Sequence, residues 1–330
     1  MSFSAPSEGL QLRVSLTQAC AFRCPYCQPG GPVAAHPRSE MLSVAEIQRV
    51  VRHLANPDMF GGVRGVRFTG GEPLQRAECE DAVAAVAEIE GIEDIALTTN
   101  AEHLGARAQL LRNAGLTRIN IHLDSLKEER FAELSGGKDL YTVLEAIAAT
   151  KEAGLNPLKV NCVVMKGIND DEIIEFCEFA KRWELTVRFI ELMNTGSAQA
   201  FFEKHFVAAG EIRERVAARY EIAPTEEPRG AMPAEEFRLV GTGAGVGFIA
   251  SESEPFCGAC NRLRLSADGR ISRCLYEAGG IPLRELLRDE NVNDEQLRDV
   301  LLGAIAGKRS HHPSFGKPGE KPFAMAEIGG

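Results

Sequence analysis

Residues 10–27 read LQLRVSLTQACAFRCPYC, and two patterns meet in them. In the first half Leu12, Val14 and Leu16 alternate with Arg13, Ser15 and Thr17, the period-two signature of a strand with one apolar and one polar face. In the second half Cys20, Cys24 and Cys27 fall in a loop directly after that strand, spaced Cys-x3-Cys-x2-Cys. Outward from here the strand pattern recurs at 63–69, 95–100, 118–124, 158–165 and 186–192, with amphipathic helical stretches between. One helix opens at Ser43 with Glu46 in capping-box spacing; another follows Asn169-Asp170 and runs to Trp183, with Ile173, Cys177 and Ala180 on one stripe. This alternation predicts βα units and a parallel sheet. Six units are too few to close an eight-fold barrel. The predicted fold class is therefore α/β, a partial TIM-like (β/α)6 barrel, with a flat doubly wound sheet as the alternative.

Strands of a parallel sheet buried on both faces usually read as unbroken apolar runs. Here Ile119, Ile121 and Leu123 alternate with Asn120, His122 and Asp124, Lys159 and Asn161 lie opposite Val160 and Val164, and Arg67 lies between Val66 and Phe68. If the apolar parity faces the helices, the polar parity lines the barrel interior. Arg13, Arg67 and Lys159 then make that interior basic and suited to an anionic ligand. Solvated edge strands are the alternative, less favoured because all the strands cannot be edges.

After Asn194 the rhythm changes. A helix over 211–220 precedes a Pro- and Glu-containing stretch at 224–236 and strand-like runs at 237–240 and 246–251. A hairpin is expected where 261–266 and 270–275 flank Ala267-Asp268-Gly269. Helices over 282–287 and 294–306 lead into a Gly/Pro/Lys-rich tail. The chain divides on this reading into a barrel, residues 1–225, and a C-terminal α+β extension, residues 226–330.

Lys and Arg total 37 against 47 Asp and Glu, a net charge of −10 over 330 residues, which argues against a general nucleic-acid binder. The N-terminus lacks the basic and apolar regions of a signal peptide, and no apolar run reaches ~18 residues, so a cytoplasmic protein off the membrane is expected. Disulfides are then not the reason for nine cysteines. Cys79, Cys162 and Cys177 sit on apolar faces and read as core. The other six form two trios, the one above and Cys257, Cys260 and Cys274.

Three thiolates within eight residues can clamp one face of a small metal centre. Structural zinc prefers four closed ligands, whereas a 4Fe–4S cube held by three cysteines leaves one iron open. The first trio, with Tyr26 before its last cysteine and Gly70-Gly71-Glu72-Pro73 after the second strand, resembles the radical S-adenosylmethionine superfamily. In that superfamily the open iron is chelated by S-adenosylmethionine. The second trio also lacks a nearby fourth cysteine. His311 and His312 are candidate fourth ligands for zinc, but beside the first trio a second 4Fe–4S cluster is the preferred reading. Directly after Cys260, Arg262 and Arg264 project to one side of a strand, two guanidiniums suited to phosphate oxygens. No Walker A loop is present at 303–308, and the glycine-rich 241–247 lacks the dinucleotide-binding spacing.

The second trio, the Arg-x-Arg beside it and the terminal Gly329-Gly330 together resemble the MoaA family of GTP 3′,8-cyclases, over essentially the whole chain. The resemblance implies two 4Fe–4S clusters, S-adenosylmethionine and GTP. It implies triphosphate and nucleotide contacts at Arg13, Arg67, Thr98, Lys159, Arg262 and Arg264, and S-adenosylmethionine contacts at Tyr26, Gly71, His122 and Met193. Arg262 and Arg264 would serve in catalysis with Gly329 and Gly330, the tail that in this family reaches into the active site. One departure is visible: His122 stands where the family often has Ser. The resemblance also implies a flavodoxin- or ferredoxin-type electron donor and a MoaC-type enzyme that takes the product; a homodimer is compatible with it. The rivals are a peptide-modifying radical enzyme with an auxiliary cluster and a zinc-binding interaction protein.

Overall fold

Local signals place the helices and alternation places the strands. The computed structural model describes residues 9–29, 31, 33–195, 198–226, 229–277, 279–308 and 325. Strands β1 (Leu10–Ser15), β2 (Val63–Thr69), β3 (Asp94–Thr99), β4 (Arg118–His122), β5 (Leu158–Val164) and β6 (Thr186–Glu191) alternate with helices. The first helix, α1 (Val44–Ala55), starts where Ser43 accepts from Glu46 N at 3.2 Å and Glu46 accepts from Ser43 N at 2.6 Å. Such a box is worth about 1 kcal/mol. α1 buries Ile47, Val50, Val51 and Leu54. The other helices between strands are α2 (Cys79–Ala87), α3 (Ala108–Asn113), α4 (Glu128–Ser135), α5 (Leu140–Glu152) and α6 (Ile173–Trp183). Cys79, Cys162 and Cys177 are buried in the apolar core, as their faces suggested.

The first six strands pair in sequence order, all parallel. Beyond β6 come α7 (Gln199–His205), α8 (Ala209–Ala217), β7 (Ile222–Pro224), β8 (Glu235–Leu239), β9 (Gly245–Ile249), β10 (Arg262–Leu265), β11 (Arg270–Ser272), β12 (Ile281–Pro282), α9 (Arg284–Arg288) and α10 (Asp294–Ala306). These late strands do not stack as a separate layer. β9 joins β6 in parallel, β10 joins β1 in parallel, and antiparallel partners complete each flank. The result is one twelve-stranded α/β sheet, order β12-β11-β10-β1-β2-β3-β4-β5-β6-β9-β8-β7. The physical reason is that β1 and β6 would otherwise leave open edges. Pairing of Pro224 with Phe237 carries the sheet across residue 225.

The apolar parity packs outward: Leu10, Leu12 and Val14 have no exposed surface, and Phe176, Phe189 and Phe248 pack ring to ring beneath α6. Each such buried ring contributes roughly 1.5–3 kcal/mol. The polar parity faces inward in rows, Arg264–Arg13–Arg67 across β10, β1 and β2, and Asn161–Arg188–Gly247 across β5, β6 and β9. Because β10, β1 to β6 and β9 all contribute to one cavity wall, the sheet curves around a lumen.

Candidate active site between two cysteine trios

The lumen holds a cavity of about 310 Å³ with a cysteine trio at each end. Cys20, Cys24 and Cys27 follow β1 and lie at the C-terminal ends of the parallel strands. Cys260 precedes β10 and Cys274 follows the antiparallel β11, which puts the second trio at the opposite edge of the sheet. None of the six cysteines is in a disulfide, and all six line the same cavity.

The loop of the first trio is zipped to the loop after β2. Gly71 N donates to Thr17 O and Glu72 N to Ala19 O, both at 2.7 Å. A Cβ at Gly71 would collide with the carbonyls of Gln18 and Ala19, so only glycine permits this approach. Glu72 is buried and accepts from Thr99 Oγ1 at 2.6 Å, Asn100 N at 2.7 Å and Leu74 N at 3.0 Å. Burial pushes its carboxyl up to about 7 against those donors. Inside the loop, Tyr26 donates to Asp124 Oδ2 at 2.7 Å, and His122 Nε2 lies 3.0 Å from both Tyr26 Oη and Asp124 Oδ2 and 4.0 Å from Cys24 Sγ. Asp124 Oδ1 accepts from Val163 N at 2.8 Å, which fixes the carboxylate that orients both rings. Met193 lines the cavity just beyond β6. Three cysteines outside any disulfide on one short loop, with polar groups beside them, fit a three-cysteine cluster.

The second trio is surrounded by cations. Arg262 donates to Cys260 Sγ at 3.3 Å, and Lys308 Nζ donates to Arg262 O at 2.7 Å and Arg273 O at 2.5 Å. Burial disfavours the Cys260 thiolate, but Arg262 and Lys308 outweigh it and hold the thiol down at about 6. Phe256 supports the Arg262 guanidinium, which lies 4.6 Å from its ring centroid. These three free thiols also fit a cluster, one carrying its own compensating charge.

Between the trios stand Arg13, Arg67 and Arg264. Burial and repulsion from neighbouring arginines lower all three, Arg67 to about 9 and Arg264 to about 10. The side chains of Arg13 and Arg67 make no hydrogen bond to another described residue, so they are open to an anion. Thr98 shares their wall, and Asn161 Oδ1 is buried there without a partner.

Two family descriptions match this chain: Radical SAM superfamily over residues 14–180 and Molybdenum Cofactor Synthesis C over residues 185–314. The GTP 3′,8-cyclase of Pelotomaculum thermopropionicum is 41% identical over 302 residues, 91% of each chain. That of Moorella thermoacetica is 40% identical over 320 residues, 97% of each chain. The chain belongs to the GTP 3′,8-cyclase family.

Among solved structures, Streptococcus suis SuiB bound to precursor peptide SuiA matches this GTP 3′,8-cyclase family member with a TM-score of 0.62 and 17% identity, over 93% of this chain and 68% of that one. That likeness concerns the fold alone. The lumen gathers Arg13, Tyr26, Arg67, Gly71, Thr98, His122, Met193, Arg262 and Arg264 with both trios. Lys159 is the exception. It points inward but is not on the cavity wall, because Glu236 holds its ammonium with both carboxylate oxygens at 2.8 Å. Burial, then Arg188, pushes Lys159 down to about 8 although Glu236 opposes this. Gly329, Gly330, His311 and His312 lie outside the described residues; Met325 N donates to Cys27 O at 3.3 Å, which brings that residue to the first trio. Sequence reasoning missed Arg188, Glu236, Asp124 as an orienting group, and Lys308. Arg188 shares the inward parity of β6 and was findable. Glu236 fell in a stretch read as irregular.

Proposed function

We infer that the chain converts GTP to (8S)-3′,8-cyclo-7,8-dihydroguanosine 5′-triphosphate, the first step of molybdenum cofactor biosynthesis. The observation that carries this reading is the lumen with a cysteine trio outside any disulfide at each end and, between them, Arg13 and Arg67, whose side chains have no hydrogen-bond partner among the described residues. Cys20, Cys24 and Cys27 would hold one 4Fe–4S cluster, with S-adenosylmethionine against Tyr26, Gly71, His122 and Met193. Cys257, Cys260 and Cys274 would hold a second. When bound, the first cluster and S-adenosylmethionine supply a 5′-deoxyadenosyl radical.

The chain's own residues position the substrate. Arg13, Arg67, Arg262 and Arg264, with Thr98, grip the triphosphate by charge-assisted hydrogen bonds, and Lys159 joins them if released from Glu236. Ribose C3′ and guanine C8 must meet within one GTP molecule, so a fixed triphosphate converts binding energy into orientation. The curved sheet excludes water around the reacting carbons. Arg262 and Arg264 lie where the nucleotide would reach the second trio, with Gly329-Gly330 assigned to the same site. A flavodoxin- or ferredoxin-type donor, a MoaC-type successor and a cytoplasmic location go with this reading. Among the described residues no helix is long and apolar enough to cross a membrane.

The test is anaerobic reconstitution followed by incubation with S-adenosylmethionine, reductant and GTP. About eight irons per chain and formation of the cyclised nucleotide are expected. A colourless zinc protein, or S-adenosylmethionine cleavage with GTP untouched, would overturn the reading.

A further inference from the structure

Behind Arg188, which lines the cavity, sits a carboxylate that this function does not use. Glu236 comes from β8, outside the parallel strands, and pairs in register with Gly247 of β9, which pairs in turn with Arg188 of β6. A Cβ on Gly247 would lie 3.2 Å from Arg188 Cγ and 3.3 Å from Glu236 Cγ, so the two side chains meet across bare backbone. From there Glu236 takes two hydrogen bonds from Lys159 Nζ at 2.8 Å and one from Arg188 Nε at 2.6 Å. The three side chains are 13%, 10% and 3% exposed.

The lumen therefore carries two kinds of cation. The side chains of Arg13 and Arg67 have no hydrogen-bonding partner among the described residues and meet an entering anion freely. Lys159 and Arg188 are already held by a carboxylate that offers what a phosphate offers, paired anionic oxygens for charge-assisted hydrogen bonds. A ligand gains them only by displacing Glu236. β5 stands three strands from β2, about 14 Å along the curved wall before side chains converge inward. A ligand touching both groups must be an extended polyanion, and a dianionic terminal phosphate outcompetes one carboxylate for two cations.

We propose that Glu236 is a built-in stand-in for the terminal phosphate and sets the minimum phosphate length that the lumen favours. The proposal rests on the reading of GTP as substrate. Mono- and diphosphates meet the open arginines alone, and Glu236 stays in place. The triphosphate reaches Lys159 and Arg188, and the freed carboxylate turns away on the β8–β9 hairpin.

The experiment is calorimetric titration of the anaerobic holoenzyme with GTP, GDP, GMP and inorganic tripolyphosphate at pH 6.5, where Lys159 keeps its proton. Glu236→Gln is expected to tighten GTP and tripolyphosphate by roughly tenfold, about 1.4 kcal/mol, and to leave GMP within about twofold. Glu236→Asp, which keeps the charge but shortens the reach, is expected to tighten GTP by less, and it decides the matter if the Gln variant does not fold. Unchanged or weaker GTP binding in the folded variant makes Glu236 a structural partner and overturns the proposal. An equal gain for GMP makes the effect one of general charge and overturns it as well. If the unaltered enzyme binds none of the four probes, the substrate reading fails first, and the proposal with it.

Discussion

The two cysteine trios reach similar ends by different means. The first lies in residues 20–27, and its loop is fixed by backbone hydrogen bonds to the β2 loop and by buried carboxylates, Glu72 and Asp124. The second is spread over residues 257–274 and is closed by side-chain cations, Arg262 and Lys308. A short glycine-dependent loop needs little else to hold its shape. A hairpin that brings distant residues together gathers like-charged thiolates and needs positive charge to offset them. The difference implies that the two ends form separately around the shared lumen.

Cysteine replacement is the severest way to break that comparison. Cys24→Ser and Cys260→Ser are each expected to abolish cyclisation while lowering iron from about eight to about four per chain, as measured by iron and sulfide analysis. If either variant loses all its iron, the ends are one folding unit.

Next in size is the shared middle. Arg67→Met removes an open cation, and the loss of a charged contact of roughly 2 kcal/mol or more corresponds to at least about a thirtyfold weaker GTP affinity by calorimetry. The same change relieves the burial of a charge and its repulsion with Arg118, Arg188 and Arg262, so the ligand-free chain is expected to melt about 2 °C higher, the shift of roughly 1 kcal/mol in a chain of this size. A site built for an anion is strained without one. A lower melting temperature would make Arg67 a structural residue.

A smaller effect sharpens the comparison at the first end. Asp124→Asn replaces the carboxylate that accepts from Tyr26 and Val163 N and faces His122. It is expected to destabilise the chain by about 1–3 kcal/mol and weaken S-adenosylmethionine binding, while GTP affinity stays unchanged. Weakening of both ligands alike would mean that the first end also shapes the substrate seat.

How much of this was legible beforehand follows from the range of each signal. Alternation in 10–17 and 118–124 is local, so the parallel strands and the inward direction of Arg13, Arg67 and His122 could be read. The pairing of β10 with β1 and of β9 with β6 is a choice among distant edges, and no residue pattern near 245 or 262 encodes it. The fate of Lys159 turned on the same point. Its parity was right, but its partner Glu236 belongs to β8, a strand held by pairing with both β9 and β7. A Pro- and Glu-containing segment gives no hint of that pairing. Lys308 was invisible for a related reason, since α10 delivers it to carbonyls more than thirty residues back.

Lys308 also supplies the smallest and most discriminating test of separate ends. Its ammonium joins Arg262 O to Arg273 O, the two backbone positions that flank Cys260 and Cys274 across the β10–β11 hairpin. Methionine matches the length and the apolar stem but donates nothing, so Lys308→Met should lose about 1–2 kcal/mol, the net worth of two hydrogen bonds. Amide hydrogen exchange should quicken at 262–274 and stay unchanged at 17–28. From the hairpin a hydrogen-bonded chain leads toward the strand ends where the first trio lies: Tyr276 Oη donates to Glu252 at 2.7 Å, and the Glu252 and Ser253 amides donate to Glu191 at the end of β6. If loosening the hairpin also quickens exchange at 17–28, that carboxylate chain transmits the disturbance, and the trios form one coupled site. If exchange changes at the hairpin alone, the cations of the second trio serve that trio only.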